Sequence, residues 1–235
     1  MNLYSIAAAM LMMCIATAAN AVTMSVSTTA PTVDGADIAQ LVGLTDPGGN
    51  SGHVWSNRPV HGQTFNTGLN AAGYTLNSVT MLARVDQGST TSPSWNIRVG
   101  TIDLTPNFNL LTSENGAGVT IPQAFPGGNS PPVPQWVTWT FDTPIMLNAN
   151  THYAFDVDSS GSGFISLNNP GNVFGSGTAF SSGGGGVPSN PILLHNYDRV
   201  FHLDLVAKES VIPEPATAVC ALIGIAGLLS RRRRA

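Results

Sequence analysis

Tyr153-Ala154-Phe155-Asp156-Val157-Asp158 is the stretch on which the reading of this chain turns. Apolar and polar side chains alternate with a period of two, the period of a strand and not of a helix. Tyr153, Phe155 and Val157 are expected to face a core, with both carboxylates outward. The same alternation recurs on either side. Leu76-Asn77-Ser78-Val79-Thr80-Met81-Leu82-Ala83-Arg84-Val85 is one such run. Trp95 to Gly100 places Trp95, Ile97 and Val99 on one face. Trp136 to Phe141 and Val200 to Val206 complete the set. Gly, Pro, Asn and Asp bound these runs, as turns require. Between Ala21 and the C-terminal segment no helical period is sustained, a short turn near Ile38 to Leu41 being the one candidate. Many short strands separated by turn signals predict an all-β fold, a single β-sandwich of jelly-roll type.

Composition agrees with an exported β-protein. Only 9% of residues are charged, against about 25% in an average soluble protein. Gly, Ser, Thr, Asn and Pro take their place. Disorder is disfavoured because 43% of residues are hydrophobic, with four Trp and nine Phe to build a core. The formal charge of -4 contains the terminal run Arg231 to Arg234; without it the chain holds five basic and 13 acidic residues, a charge of -8. An acidic body lacks the basic footprint of a nucleic-acid binder. The two cysteines, Cys14 and Cys220, lie in apolar end segments. The body between them therefore has neither disulfide nor thiolate chemistry, and its core must hold it. Two stretches rich in Gly, Ser, Asn and Pro, 122–135 and 168–191, are expected to be mobile surface loops.

The ends read as addresses. An apolar run from about Ile6 to Ala19 is too short to span a bilayer and precedes Ala19-Asn20-Ala21, a small-x-small cleavage pattern. Residues 1–21 are thus expected to be a signal peptide, although no Lys or Arg precedes the run. Cys14 does not make a lipoprotein site, because Met13 stands where a lipobox wants a small residue. At the other end Val211-Ile212-Pro213-Glu214-Pro215 leads into an apolar run, Ala216 to Ser230, and then Arg231, Arg232, Arg233 and Arg234. Pro213 and Pro215 keep the chain extended. The apolar run would rise about 22 Å as a helix, short for a roughly 30 Å hydrocarbon core unless the arginines snorkel. The arginines are expected on the cytoplasmic side, with the body outside the inner membrane. The predicted division is 1–21 signal, 22–209 β-sandwich and 210–235 tail, with a transmembrane helix at 216–230.

This tail resembles the PEP-CTERM sorting signal, whose Pro-Glu-Pro box, short transmembrane helix and basic terminus all occur here in order. The resemblance implies that Pro213, Glu214 and Pro215 form the recognition box of an exosortase, a membrane-embedded cysteine transpeptidase. It also implies a host that makes exopolysaccharide. The alternative is a plain C-terminal membrane anchor. Within the body, Gly62-Gln63-Thr64-Phe65 with Gly73-Tyr74-Thr75-Leu76-Asn77-Ser78-Val79 resembles the opening of the choice-of-anchor or carbohydrate-binding-like jelly rolls of bacterial surface proteins. Phe141-Asp142-Thr143-Pro144-Ile145-Met146-Leu147 with Thr151-His152-Tyr153 is similar to their later hairpin. The likeness spans roughly residues 60–206 and implies a display module. Fold likeness does not assign an activity.

Candidate chemistry is sparse. Asp156-Val157-Asp158-Ser159-Ser160-Gly161 begins like a calcium loop, but Leu167 stands where the twelfth-position Glu belongs. Asp156 and Asp158 are therefore only a weak calcium candidate beside the reading of two outward carboxylates. His53, His61, His152, His195 and His202 show no metal-ligand spacing and are expected to be surface or half-buried imidazoles. No Gly-x-Ser-x-Gly elbow is present, and Gly183 to Gly186 lacks the Lys-Ser/Thr of a phosphate loop. Trp55, Trp95, Trp136 and Tyr197 could stack on sugars, Trp55 being the best exposed candidate, although large aromatics more often build cores. The expectation is a non-enzymatic exported surface or matrix protein without a cofactor. Exosortase, the inner membrane and extracellular polysaccharide are its expected partners. A specific carbohydrate-binding module and an envelope polysaccharide hydrolase are the alternatives.

Overall fold

The computed structural model describes residues 22–42, 52–54, 60–85, 95–116, 135–159, 164–169, 174–181 and 190–210. The predicted signal peptide, the sorting box, the transmembrane segment, the four arginines and Trp55 lie outside the described residues. Among those described no helix is long and apolar enough to cross a membrane.

The described chain forms strands β1 (Val22–Ser27), β2 (Ile38–Gln40), β3 (Gly52–Val54), β4 (Val60–Asn66), β5 (Tyr74–Val85), β6 (Trp95–Ile102) and β7 (Phe108–Gly116). It continues with β8 (Gln135–Leu147), β9 (His152–Ser159), β10 (Phe164–Asn169), β11 (Ala179–Ser181), β12 (Leu193–Leu194), β13 (Asp198–Arg199) and β14 (Phe201–Ala207). The described residues are all-β, in two antiparallel sheets. One runs β1-β8-β5 and continues as β14 and β2 along the first part of β5. Along the last residues of β5 it continues as β10 with β3 and β13. The other runs β12-β11-β4-β9-β6-β7. Four pairings are nested: β6 with β7, β5 with β8, β4 with β9, and β2 with β14. Ile38 to Gln40, the one place where a helical turn was expected, is strand: Ile38, Ala39 and Gln40 pair with Leu203, His202 and Phe201.

Alternation explains the core. Phe65, Ile97, Val99, Tyr153, Phe155 and Val157 from one sheet meet Val22, Leu76, Val79, Met81, Val137, Trp139, Phe201 and Leu203 from the other in a single cluster. The rings of Phe155 and Phe201 lie 5.5 Å apart between the sheets. Each fully buried Phe contributes roughly 1.5–3 kcal/mol by leaving water. On β5 the inward positions switch from even to odd, Leu76 and then Val79, Met81 and Ala83. A bulge makes the switch. Leu76 pairs with Leu205 and Ser78 with Asp204, so Asn77 is the extra residue. Were Asn77 paired in a regular strand instead of bulged, Ser78 would replace Val79 in the core, because a one-residue slip reverses every side chain.

The second sheet is covered on its other face as well. Phe108, Ala154, Phe180 and Ile192 form a separate buried cluster there. Phe180 pairs with Gly62 across β11 and β4, and its ring occupies the place a Cβ on Gly62 would take, 2.2 Å from its nearest carbon. Phe180 and Phe108 meet edge to face at 5.8 Å. The glycine- and serine-rich stretch 168–191 is thus not wholly a surface loop: it holds the end of β10, all of β11 and the buried Phe180. A stretch poor in apolar residues still orders where a glycine opposite makes room for one aromatic ring.

Candidate binding cleft

Asp156 overturns one expectation. Its alternation is as predicted, but the face it occupies is buried. Arg98 pairs with it in register across β6 and β9. Arg98 Nε donates to Oδ1 at 2.6 Å and Nη2 to Oδ2 at 2.8 Å, with both side chains fully buried. A carboxylate gripped this way on both oxygens is not open to calcium. The side chain of Asp158 is outside the described set. Among the described residues no three His, Cys, Asp or Glu side chains are grouped to hold a metal ion.

Two of the histidines also differ from expectation. His61 is fully buried and His202 nearly so. His202 Nε2 lies 2.9 Å from Asp37 Oδ2, while Asp37 Oδ1 accepts from the Leu205 amide at 2.9 Å. Burial pushes the Asp37 carboxyl up, but the Asp34 and Leu205 amides and then His202 outweigh it and hold the group below its ordinary value. His195 is half-buried and stacks on Tyr197 at 4.9 Å, with the Arg199 guanidinium over the same tyrosine ring at 5.4 Å. Arg199 itself is buried and donates to Asn168 Oδ1 at 2.8 Å and to the Gly62 carbonyl at 3.3 Å. Asp198 beside it accepts from Gln63 Nε2 and from the Phe174 amide. Tyr197 is therefore part of a buried polar joint between β13 and β4. Trp136 is also structural: it is buried with Val200 against Leu41 and Leu82.

Among the described residues, one surface feature with room for a ligand is a cleft of about 610 Å³ at one end of the second sheet. Its size falls within the range of about 300–1,000 Å³ typical of ligand sites. Thr64 of β4, Thr101 and Ile102 of β6 and His152 of β9 contribute its strand residues. Two turns wall it. In the first, Asp103 Oδ1 accepts from the Thr105 amide and hydroxyl and from the Asn107 amide, and Oδ2 accepts from Asn107 Nδ2 at 3.1 Å. The Thr105 hydroxyl and the two amides hold the Asp103 carboxyl well below the usual carboxylate range. This turn carries Leu104, fully exposed, and Pro106 into the wall. In the second, Asn150 takes a left-handed φ of 46°, a conformation asparagine tolerates. The Asn150 amide donates to the Gly68 carbonyl and the Thr67 hydroxyl to the Asn148 carbonyl, tying this turn to the end of β4. Leu194 of β12 closes the far side.

Of the residues singled out from the sequence for ligand contact, Trp136, Tyr197 and Asp156 do not line this cleft, and Trp55 and the side chains of Trp95 and Asp158 are outside the described set. The missed signal was Asp103-Leu104-Thr105-Pro106-Asn107, a side-chain-capped turn spelled in its residue types. The convergence of that turn with residues 150–152 and 194 has no sequence signal at all. No protein-family model, no curated protein and no solved structure matches the chain.

Proposed function

We propose that this chain is an exported, non-enzymatic surface or extracellular-matrix protein, sorted through its PEP-CTERM-like tail, with a jelly-roll body as the displayed module. One observation carries the sorting reading: Pro213-Glu214-Pro215, the apolar run and four arginines follow one another within the last residues of the chain. The nested pairings support the jelly roll. A hairpin of β6 and β7 lies inside β5 with β8, inside β4 with β9, inside β2 with β14, which is how a long antiparallel ribbon wraps into two sheets. What favours display over polysaccharide hydrolysis is how the carboxylates are used. A glycosidase needs two acids about 5–10 Å apart and free to reach a sugar. Among the described residues Asp156 is held by Arg98, Asp198 by Gln63 and a backbone amide, and Asp37 by His202 and backbone amides, while the cleft described above is lined by one acid, Asp103.

In this reading the precursor sits in the inner membrane through 216–230, an exosortase processes the tail, and the body reaches the surface or the polysaccharide layer. The test is the C-terminal mass of the protein recovered from an exosortase-bearing host. The expected product lacks the arginine-rich peptide, and alanines at Pro213, Glu214 and Pro215 keep it attached. An intact tail on the mature wild-type protein overturns the proposal and leaves a plain membrane anchor. A specific sugar-binding role through Trp55 is a second reading, tested by loss of glycan binding on Trp55→Ala.

A further inference from the structure

We propose that the cleft between the Asp103–Asn107 turn and the Asn150–His152 segment binds a neutral saccharide chain, with His152 and Asn150 as hydrogen-bonding groups and Leu104 and Leu194 as apolar walls. The inference rests on the cleft alone; it depends neither on the sorting tail nor on Trp55.

The functional groups select the ligand class. The side chains of His152 and Asn150 make no hydrogen bond to another described residue, and both are exposed. An imidazole and a carboxamide each both donate and accept. A ligand that satisfies them must itself offer groups that do both, which is what alcohol hydroxyls do. The cleft lies over the faces of β4, β9 and β6, whose backbones are already paired with one another. An added peptide strand would find no free ladder on that floor, since strand addition needs an edge and the edge lies out at β12.

Charge narrows it further. The lining contains no Lys or Arg, and its one acid, Asp103, is held ionised by its turn. A phosphate or uronate would meet a negative charge and no counter-charge. Asp103 Oδ2 accepts a single bond from Asn107 and has capacity for a ligand hydroxyl. A purely apolar ligand fits poorly as well, because it would cover His152 and Asn150 without pairing them. Leu104, Pro106 and Leu194 supply aliphatic surface for the C–H faces of a sugar ring. Both walls are fixed by their own hydrogen bonds, so little ordering is needed on binding.

The experiment is a binding titration of the full chain, held in a zwitterionic detergent so that no sugar headgroup competes. The probes are gluco-, galacto- and manno-configured tetrasaccharides and their uronate counterparts. At least one neutral tetrasaccharide is expected to bind, with its uronate counterpart at least about tenfold weaker. His152→Ala and Leu104→Asp are each expected to weaken binding at least about tenfold, with the melting temperature unchanged because both side chains are exposed. Trp55→Ala is expected to leave binding intact. The proposal is overturned if no neutral tetrasaccharide binds, if uronates bind equally, or if both cleft variants bind like the parent. It is also overturned if Trp55→Ala alone abolishes binding, which would move the sugar site to Trp55. None of these outcomes bears on tail processing.

Discussion

Arg98 and Asp156 face one another in register across β6 and β9, joined by two hydrogen bonds of 2.6 and 2.8 Å and fully buried. The pair lies on the face of the second sheet opposite the main core. Removing one partner leaves a buried charge uncompensated. Asp156→Ala is expected to destabilise the fold by about 3–5 kcal/mol. Replacing both residues with apolar side chains of similar volume is expected to cost far less, because both desolvation penalties vanish together. Urea denaturation of the single and double variants checks this. Equal losses in both would show that the pair acts through packing alone.

Asp37 makes stability depend on acid pH. Its folded-state affinity for protons is lowered, so its contribution is complete above the ordinary carboxylate value of about 4. That contribution is lost as the pH falls through the lower, folded-state value. Asp37→Asn removes the charge and should flatten this part of the curve. Melting temperatures of parent and variant, measured from neutral to strongly acid pH, are expected to converge at the acid end. A gap that stays constant with pH would count against the carboxylate.

Glu114 has the opposite sign. Its side chain is buried, Oε1 accepts from Thr112, and Oε2 has no hydrogen-bond partner among the described residues. Burial raises its proton affinity, the Thr112 hydroxyl partly offsets this, and the Asp142 charge adds to the rise. A raised folded-state value means the ionised group opposes folding at neutral pH, and acid relieves it. Glu114→Gln should therefore stabilise by about 1 kcal/mol near neutrality. The gain should vanish as the pH falls below the ordinary glutamate range. Thermal melts of parent and variant across that range would read both effects.

Gly62 is expected to tolerate no side chain. A Cβ there would lie 2.2 Å from the ring of Phe180. Gly62→Ala should cost about 1–3 kcal/mol by overpacking. Phe180→Leu in the same chain should recover part of that loss. If the double variant is no better than the single, the clash lies elsewhere.

The sequence by itself determined the five runs that became β5, β6, β8, β9 and β14, and the inward faces of β6 and β9. Tyr153, Phe155 and Val157 alternate at period two, and only a strand puts all three on one side. Period two assigns residues to faces, but it does not say whether the second face meets water. Asp156 was read outward because a polar residue opposite a core face is usually solvated, and the register that brings Arg98 to it exists only between two strands. Phe180 was hidden in a stretch whose composition signals a loop, because the space it fills is made by Gly62, far away in sequence. The turns beside the cleft were written locally, in Asp103 to Asn107 and in Asn150. The cleft itself was decided by tertiary structure, since it joins residues 64, 101–106, 150–152 and 194, which meet only after the strands pair. Periodicity and turn chemistry act over a few residues; registers, bulges and clefts are settled by contacts between distant ones.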